Sequence, residues 1–282
     1  PFGHTGERFL DELYFSHTGL HFAHNLHSVR VLDEIFPLNL TLQTLDGIAD
    51  HNGELELDEY KPAPLAGFEK FDERMQACQS NLSAIKKLIP STLEGCVVRI
   101  SDIIAYLGKD RHDAEKSKAL GKVQFADLGI GTINAEIVNN LMVNLIENSY
   151  FKPYLKLDDA HFAALRAAKQ DNYDRIYFHE NVTTADDTIC AMMDKLYERL
   201  LKDLTQGNQS SPVFRQHVDY LDKPYYNKHR RMPYPETEKN RIVTDYIASM
   251  TDDYFVDLYA CLFPDSTLKL DYVGYFDGGK RA

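Results

Sequence analysis

The chain has 282 residues and a formal net charge of −12. Hydrophobic residues make up 44% of it and charged residues 26%, which is ordinary for a globular protein. The acidic balance argues against nonspecific binding to nucleic acid or to an anionic membrane, because both require basic surface. No run approaches roughly 18 consecutive apolar residues, so no membrane span is expected.

Hydrophobic periodicity predicts helices along nearly the whole chain. They are predicted over residues 6–15, 21–36, 38–51, 66–89, 92–109, 132–150, 158–170, 184–205 and 238–263. Ser91 and Glu94 form a predicted capping box, and Asp158 precedes a further helical segment. Alternating β-type patterns are confined to RIYF (175–178) and DYVGYF (271–276). The sequence therefore predicts an all-α protein.

The opening segment PFGHTGE (1–7) places His4 and Glu7 at the entrance of a helix. It lacks the charged and apolar regions of a signal peptide, and its starting proline predicts further sequence upstream. A histidine beside a carboxylate is able to activate water or to protonate a leaving group. Spacing alone favours an ordinary polar helix start, with Thr5 or a neighbour as the cap.

Four histidines follow at steps of four, three and three residues, namely His17, His21, His24 and His27. On one helix they would share a broad face, which suits a metal site or a proton relay. Gly19 argues against a single helix that includes His17. Most histidines in such an array are ordinary surface or half-buried residues, and both interpretations stay open.

The segment VVRISDIIAYLGKD (97–110) predicts an amphipathic helix. One face carries Ile100, Ile103, Ile104 and Leu107, and the other carries Asp102, Tyr106, Lys109 and Asp110, with Arg99 nearby. Periodicity does not distinguish a solvated polar face from one that lines a catalytic cavity.

Two later segments complete the candidates. NKHRRM (227–232) is a basic patch that either binds phosphate or forms a solvated loop. The mostly apolar run 241–263 carries Asp245, Thr251, Asp252 and Asp253 and predicts core packing. The cysteines lie far apart without a CxxC pair, which favours a reducing cytoplasm over a disulfide framework; they are Cys78, Cys96, Cys190 and Cys261.

No P-loop, GxGxxG or GxSxG motif is present, so kinase, Rossmann and serine-hydrolase functions have no support. Instead, four blocks in order resemble the dGTPase-like branch of the HD-domain phosphohydrolases. They are PFGHTGE (1–7), HNLHSVRVLD (24–33) with NLTLQTLDGIADHNGE (39–54), VVRISDIIAYLGKD (97–110) and RIVTDYIASMTD (241–252).

This resemblance implies a role for six residues. His4 and Glu7 match the catalytic histidine of the family and its acidic neighbour, and His24 matches a histidine that acts near the α-phosphate. Tyr106 and Asp110 match residues that hold the deoxyribose, with Asp110 at the 3′-hydroxyl. Asp102 matches the last ligand of a divalent metal, Mn²⁺, Mg²⁺ or another transition metal. The remaining ligands, a histidine and the His-Asp pair, are expected upstream of Pro1. Ile103 stands where one branch has a lysine after this aspartate, so contacts with the triphosphate are expected to differ.

The implied reaction is hydrolysis of a deoxynucleoside triphosphate (dNTP) to the deoxynucleoside and tripolyphosphate. The alternatives are another HD-type phosphohydrolase and a catalytically silent nucleotide-binding module. We expect residues 1–150 to belong to the HD-type catalytic core and residues 151–282 to form helices packed on it. A homo-oligomer is expected as well, because the apolar run 242–263 exceeds what one helical layer readily buries.

Overall fold

The computed structural model describes residues 1–52, 56–116, 120, 124–177, 179 and 183–270. Within these ranges helices predominate, and the only two strands, β1 (Glu59–Tyr60) and β2 (Leu155–Lys156), pair antiparallel. None of the helices in these ranges is long and apolar enough to cross a membrane. The predicted all-α class is confirmed.

The chain forms two compact units, each assembled from separate stretches of sequence. The described part of the first unit consists of residues 1–40, 72–84 and 186–270, and that of the second lies within residues 41–71 and 85–185. The division predicted at residue 150 separates a catalytic core from C-terminal helices, and it stays a prediction.

The first unit contains most of the N-terminal and C-terminal helices. They are α1 (Gly3–Thr18), α2 (His24–Arg30), α8 (Asp186–Gln206), α9 (Asp219–Leu221), α10 (Pro224–Asn227), α11 (Lys239–Ala248) and α12 (Asp252–Leu262). Two π-helical turns, Val31–Ile35 and Val213–Val218, and a 3₁₀ turn, Tyr234–Glu236, join them. α1, α8 and α11 pack on one another around buried Leu10, Tyr197 and Val243.

The second unit contains α3 (Leu42–Ala49), α5 (Leu93–Lys116), α6 (Asn134–Ser149) and α7 (Asp159–Asn172), and α7 continues as a π-helical turn, Tyr173–Tyr177. α5 packs on α3, α6 and α7. Its predicted apolar face is confirmed, since Ile100, Ile103, Ile104 and Leu107 are all buried. α4 (Phe68–Ser80) and a 3₁₀ turn, Leu82–Lys87, lie between these stretches in the chain.

The prediction of one helix over 238–263 is wrong. α11 ends at Ala248, and α12 begins at Asp252 after a break of three residues. The Thr251 side chain accepts a hydrogen bond from the Tyr254 main-chain nitrogen and thereby caps α12. The periodicity of the mostly apolar run did not show this cap, although Thr251 is followed by Asp252 and Asp253.

Other predicted boundaries also change. The segment 21–36 is helical only from His24, and the segment 66–89 is interrupted at Asn81. The capping box at Ser91 is wrong because α5 begins at Leu93, so that Thr92 accepts the hydrogen bond from the Gly95 nitrogen. Asp158 is confirmed as the cap of α7.

RIYF (175–178) is not a strand, because residues 175–177 belong to the π-helical turn. The second predicted β-type pattern, DYVGYF (271–276), lies outside the described residues.

Candidate active site

α1 begins at a tight turn in which Phe2, just before the helix, and Gly3, its first residue, both adopt left-handed conformations. The Phe2 nitrogen donates a hydrogen bond to Asp252 Oδ1 at 2.7 Å, and its ring meets Phe255 edge-on with centroids 5.1 Å apart. Gly6 is required, since a Cβ there would lie 1.9 Å from the Pro1 carbonyl oxygen. These constraints fix the start of α1, which carries His4 and Glu7.

Glu7 holds His24. One carboxylate oxygen, Oε1, accepts a hydrogen bond from the His24 main-chain nitrogen at 2.7 Å and lies 2.9 Å from ring Nδ1. The second oxygen, Oε2, lies 3.0 Å from the same ring nitrogen. The carboxylate therefore fixes both the first turn of α2 and the orientation of the imidazole.

Burial raises the pKa of Glu7, but the hydrogen bonds from His24 outweigh it and hold that pKa below its ordinary value. Glu7 is therefore ionised near neutral pH, and its negative charge stabilises a protonated imidazole.

His4 lies close to this pair. It is exposed, and its ring centroid is 6.2 Å from that of His24, with the ring planes 77° apart. The structure thus brings together the three residues predicted to be catalytic.

The four histidines of the predicted array do not lie on a single helix. α1 ends with a left-handed Gly19, so His17 belongs to α1 and lies 2.9 Å from Glu198. His21 precedes α2 and contacts Asp11, whereas His27 lies in α2 with its Nδ1 3.7 Å from Asp245. A single-helix metal site built from these histidines is therefore wrong.

Asp245 is the centre of a buried polar network. It accepts two hydrogen bonds from Arg30, with Nε 2.8 Å from Oδ1 and Nη2 2.7 Å from Oδ2. The Tyr234 hydroxyl donates to Oδ2 at 2.8 Å, and His217 Nε2 lies 2.7 Å from that hydroxyl. Burial raises the pKa of Asp245, yet the bonds from Arg30 keep it below the ordinary value. The network joins α2 to α11.

The polar side of α5 carries the second set of predicted residues. Asp102 is exposed, and Tyr106 and Asp110 follow it at successive four-residue steps and are half-buried. The Tyr177 hydroxyl donates a hydrogen bond to Asp110 Oδ2. Burial raises the pKa of Tyr106, and the neighbouring Tyr173 and Glu56 raise it further, so its phenol stays protonated.

No sequence motif identified Tyr177 as a site residue, although its hydroxyl contacts Asp110. It lies in RIYF (175–178), the segment with a β-type pattern, which the structure places in a π-helical turn up to Tyr177. Tyr173 and Tyr177 are four residues apart, and their ring centroids lie 5.2 Å apart. Extending the helical pattern of α7 by one turn would have placed both tyrosines on one side.

The contacts of Arg230 show that the basic patch NKHRRM (227–232) has a structural role. Its guanidinium donates hydrogen bonds to the carbonyl oxygens of Leu221 and Ile35 and to the Asn227 side chain. These bonds tie the patch to the end of the π-helical turn that follows α2.

The metal implied by the family resemblance needs more ligands than the described residues supply. No group of three or more histidine, cysteine, aspartate or glutamate side chains in the described ranges is arranged to hold a metal ion. Asp102 is the one residue assigned to the metal, and a lone carboxylate does not make a transition-metal site. The residues in view therefore do not fit a complete metal centre.

The two sets of residues belong to different units, with His4, Glu7 and His24 in the first and Asp102, Tyr106 and Asp110 in the second. That Asp102 and the pair of His4 and Glu7 face one common cavity stays a prediction.

Comparison with known proteins supports the resemblance. A family model described as a phosphohydrolase-associated domain matches residues 155–261. A deoxyguanosinetriphosphate triphosphohydrolase-like protein of Rhodopseudomonas palustris (strain BisB18) is 28% identical over 93% of this chain and 72% of its own length. The predicted family resemblance is confirmed.

Further triphosphohydrolase-like relatives cover the chain as completely. That of Rickettsia akari (strain Hartford) is 24% identical over 96% of this chain and 74% of its own length. That of Roseobacter denitrificans (strain ATCC 33942 / OCh 114) is 23% identical over 95% and 73%. The similarity therefore extends over both units, and the chain is a relative of hydrolase-family proteins.

Proposed function

We propose that the protein is a dNTP triphosphohydrolase, an enzyme of nucleotide metabolism, with dGTP as the first substrate to test. The observation that carries the proposal is the pair of Glu7 and His24, with His4 beside it, in a chain whose relatives are named triphosphohydrolase-like. Hydrolysis of a phosphate ester requires proton transfer to the departing oxygen, and a histidine held by a carboxylate is able to provide that proton.

In the proposed reaction, the oxygen of a water molecule bonds to the α-phosphorus while the bond from phosphorus to the 5′-oxygen breaks. Tripolyphosphate leaves on one side and the deoxynucleoside on the other. The 5′-oxygen takes a proton from a histidine, and the attacking water releases one of its own protons to solvent. With Nδ1 of His24 engaged by Glu7, Nε2 is the ring nitrogen that delivers it. Glu7 stabilises the imidazolium before transfer, and His4 is the alternative donor.

Asp110 and Tyr106 are proposed to bind the deoxyribose. A carboxylate accepts a hydrogen bond from the 3′-hydroxyl, and the Tyr177 hydroxyl already donates to Asp110, which restricts that carboxylate to one orientation. The protonated phenol of Tyr106 offers a further donor beside the sugar.

A divalent metal, Mn²⁺ or Mg²⁺, is part of the proposal, with Asp102 as one ligand. When bound, such a metal offsets phosphate charge. The proposed proton transfer and the proposed sugar contacts are made by side chains of this chain.

We also propose that the protein is a cytoplasmic homo-oligomer. All four cysteines are free thiols, as suits a reducing compartment. The apolar run 242–263 does not support assembly, because Val243, Ile247 and Phe255 are buried within the first unit. Support comes instead from exposed apolar side chains on and after α6, namely Met142, Val143, Ile146, Tyr150 and Phe151. Light scattering that finds only monomers at micromolar concentration would contradict assembly.

The test of the proposed activity is product analysis. The protein, expressed with any residues that its gene encodes before Pro1, is incubated with each of the four dNTPs and Mn²⁺ or Mg²⁺. Ion chromatography should detect tripolyphosphate, whereas a stepwise phosphatase releases orthophosphate. Orthophosphate alone, or no product from any dNTP, would contradict the proposal. Nucleotide binding without turnover would support the silent module.

A further inference from the structure

Two carboxylates one helical turn apart on α1 hold the segment that leads into α2 in the same way. Glu7 accepts hydrogen bonds from the main-chain nitrogen and contacts ring Nδ1 of His24. Asp11 Oδ1 accepts a hydrogen bond from the Phe22 nitrogen at 2.7 Å and lies 3.1 Å from His21 Nδ1. Each carboxylate therefore engages one ring nitrogen and one main-chain donor.

His21 is fixed from two further sides. Its main-chain nitrogen donates to the Gln79 carbonyl oxygen at 2.7 Å. Its ring stacks on Phe15, with centroids 4.3 Å apart and planes 18° apart. Together with the contacts of Asp11, these contacts hold His21 and Phe22 in place before α2.

Only Ala23 separates this clamped segment from His24. It is buried and extended, with φ −146° and ψ 142°, and its carbonyl oxygen accepts the hydrogen bond from the His27 nitrogen that begins α2. Because a single buried residue connects Phe22 to His24, a shift of Phe22 is expected to move His24 relative to Glu7.

We infer that Asp11 is a positioning residue for His24, acting through His21 and Phe22 without touching the substrate. This inference rests on the proposed function for its catalytic consequence, but its structural part stands separately. A displacement of a catalytic group by about 1 Å is able to cost roughly 10²-fold in rate. Losing Asp11 should therefore lower kcat while KM, which depends on sugar contacts from α5, changes little.

Three variants of the protein test this, expressed with any residues that its gene encodes before Pro1. Asp11→Ala removes both contacts. Asp11→Asn keeps an oxygen that accepts from the Phe22 nitrogen and is the conservative variant. Glu12→Ala, the matched control, removes a neighbouring charge from the exposed side of α1.

The first measurement is NMR of ¹⁵N-labelled histidine rings, with the His24 signal assigned by its loss in His24→Gln. Asp11→Ala should shift or broaden the His24 Nδ1 proton, while Asp11→Asn and Glu12→Ala should keep it near its original position. This readout requires no turnover. An unchanged His24 signal in Asp11→Ala would overturn the inference whatever the activity.

The second measurement is steady-state hydrolysis of dGTP. Asp11→Ala should lower kcat roughly 10- to 100-fold with KM within about threefold, and Asp11→Asn should recover most of the loss. A uniform loss of thermal stability without a kcat effect would show a merely structural role and overturn the inference. Absence of dNTP hydrolysis in the unmodified protein would instead refute the proposed function, and the NMR result would still stand.

Discussion

Glu7 and His24 lie on different helices, and the Glu7 carboxylate contacts both the ring and the main chain of His24. The main-chain bond satisfies a donor at the start of α2 that no helical carbonyl reaches. The ring contact selects which imidazole nitrogen is available for proton transfer. One side chain therefore couples the start of a helix to the chemistry proposed for it.

Replacing either partner should reduce turnover strongly. Glu7→Gln, His24→Gln and His4→Ala are each expected to lower kcat for dGTP by roughly 10²–10⁴-fold, the scale of losing an acid–base group. The double variant Glu7→Gln/His24→Gln should be little worse than the worse single variant, because the two act together. His17→Gln is the control, because His17 lies on α1 with His4 and Glu7 but pairs with Glu198. Full activity in Glu7→Gln would refute the assigned role.

Asp110 should determine recognition of the 3′-hydroxyl. Asp110→Ala is expected to raise KM for dGTP roughly tenfold or more and to reduce discrimination against 2′,3′-dideoxy-GTP. Tyr177→Phe should produce a smaller change in the same direction, because it frees the Asp110 carboxylate. Steady-state kinetics with both nucleotides measures this, with the exposed Asp113→Ala as control. Unchanged discrimination in Asp110→Ala would place the sugar elsewhere.

Breaking the buried pair of Arg30 and Asp245 should destabilise the protein. Asp245→Ala removes the buried partner of Arg30 and leaves its guanidinium the exposed carboxylate of Glu34, so we expect the free energy of unfolding to fall by about 3–5 kcal/mol in urea denaturation. Arg30→Met/Asp245→Leu should regain much of that loss. Lys109→Ala, which breaks an exposed pair with Asp113, should cost no more than about 1 kcal/mol. A similarly small cost for Asp245→Ala would contradict the network's importance.

His217 should make stability depend on pH. Burial lowers its pKa to about 4, although the neighbouring Asp245 raises it. Between its ordinary pKa and 4, the unfolded chain binds a proton that the folded chain does not. The free energy of unfolding should therefore fall as pH falls through this window, by at most about 1.4 kcal/mol per pH unit from this residue.

His217→Gln keeps a donor toward Tyr234 and removes the titration, so its stability should depend less steeply on pH. His27, whose pKa burial also lowers, keeps part of the slope. Denaturation midpoints measured from pH 7 to pH 4 provide the comparison. Parallel curves for the two proteins would show that folding does not lower the pKa of His217.

Much of the fold followed from local pattern. The apolar spacing in 97–110 gave the buried face of α5, and the acidic side chain of Asp158 gave the start of α7. Periodicity over 238–263 did not separate the two helices, although the polar residues Ser249, Thr251 and Asp252 stand at the break after Ala248. The turn is set by Thr251, whose capping bond is visible only in three dimensions.

For the candidate site, motif resemblance supplied the residues and the structure supplied their partners. Spacing placed His4 near Glu7 but could not show that Glu7 reaches His24, 17 residues away. The roles of Asp11 and Tyr177 depend on contacts across 11 and 67 residues, respectively. Contacts of this kind arise from packing between elements, which periodicity within one element does not encode.

Isotope labelling shows whether water attacks the α-phosphorus with loss of the 5′-oxygen. The protein, with any residues that its gene encodes before Pro1, hydrolyses dGTP in H₂¹⁸O with Mn²⁺, and the products are analysed by mass spectrometry. Attack at the α-phosphorus predicts one ¹⁸O atom in tripolyphosphate and none in deoxyguanosine. Label in the deoxynucleoside, or release of labelled orthophosphate or pyrophosphate instead of tripolyphosphate, would contradict it.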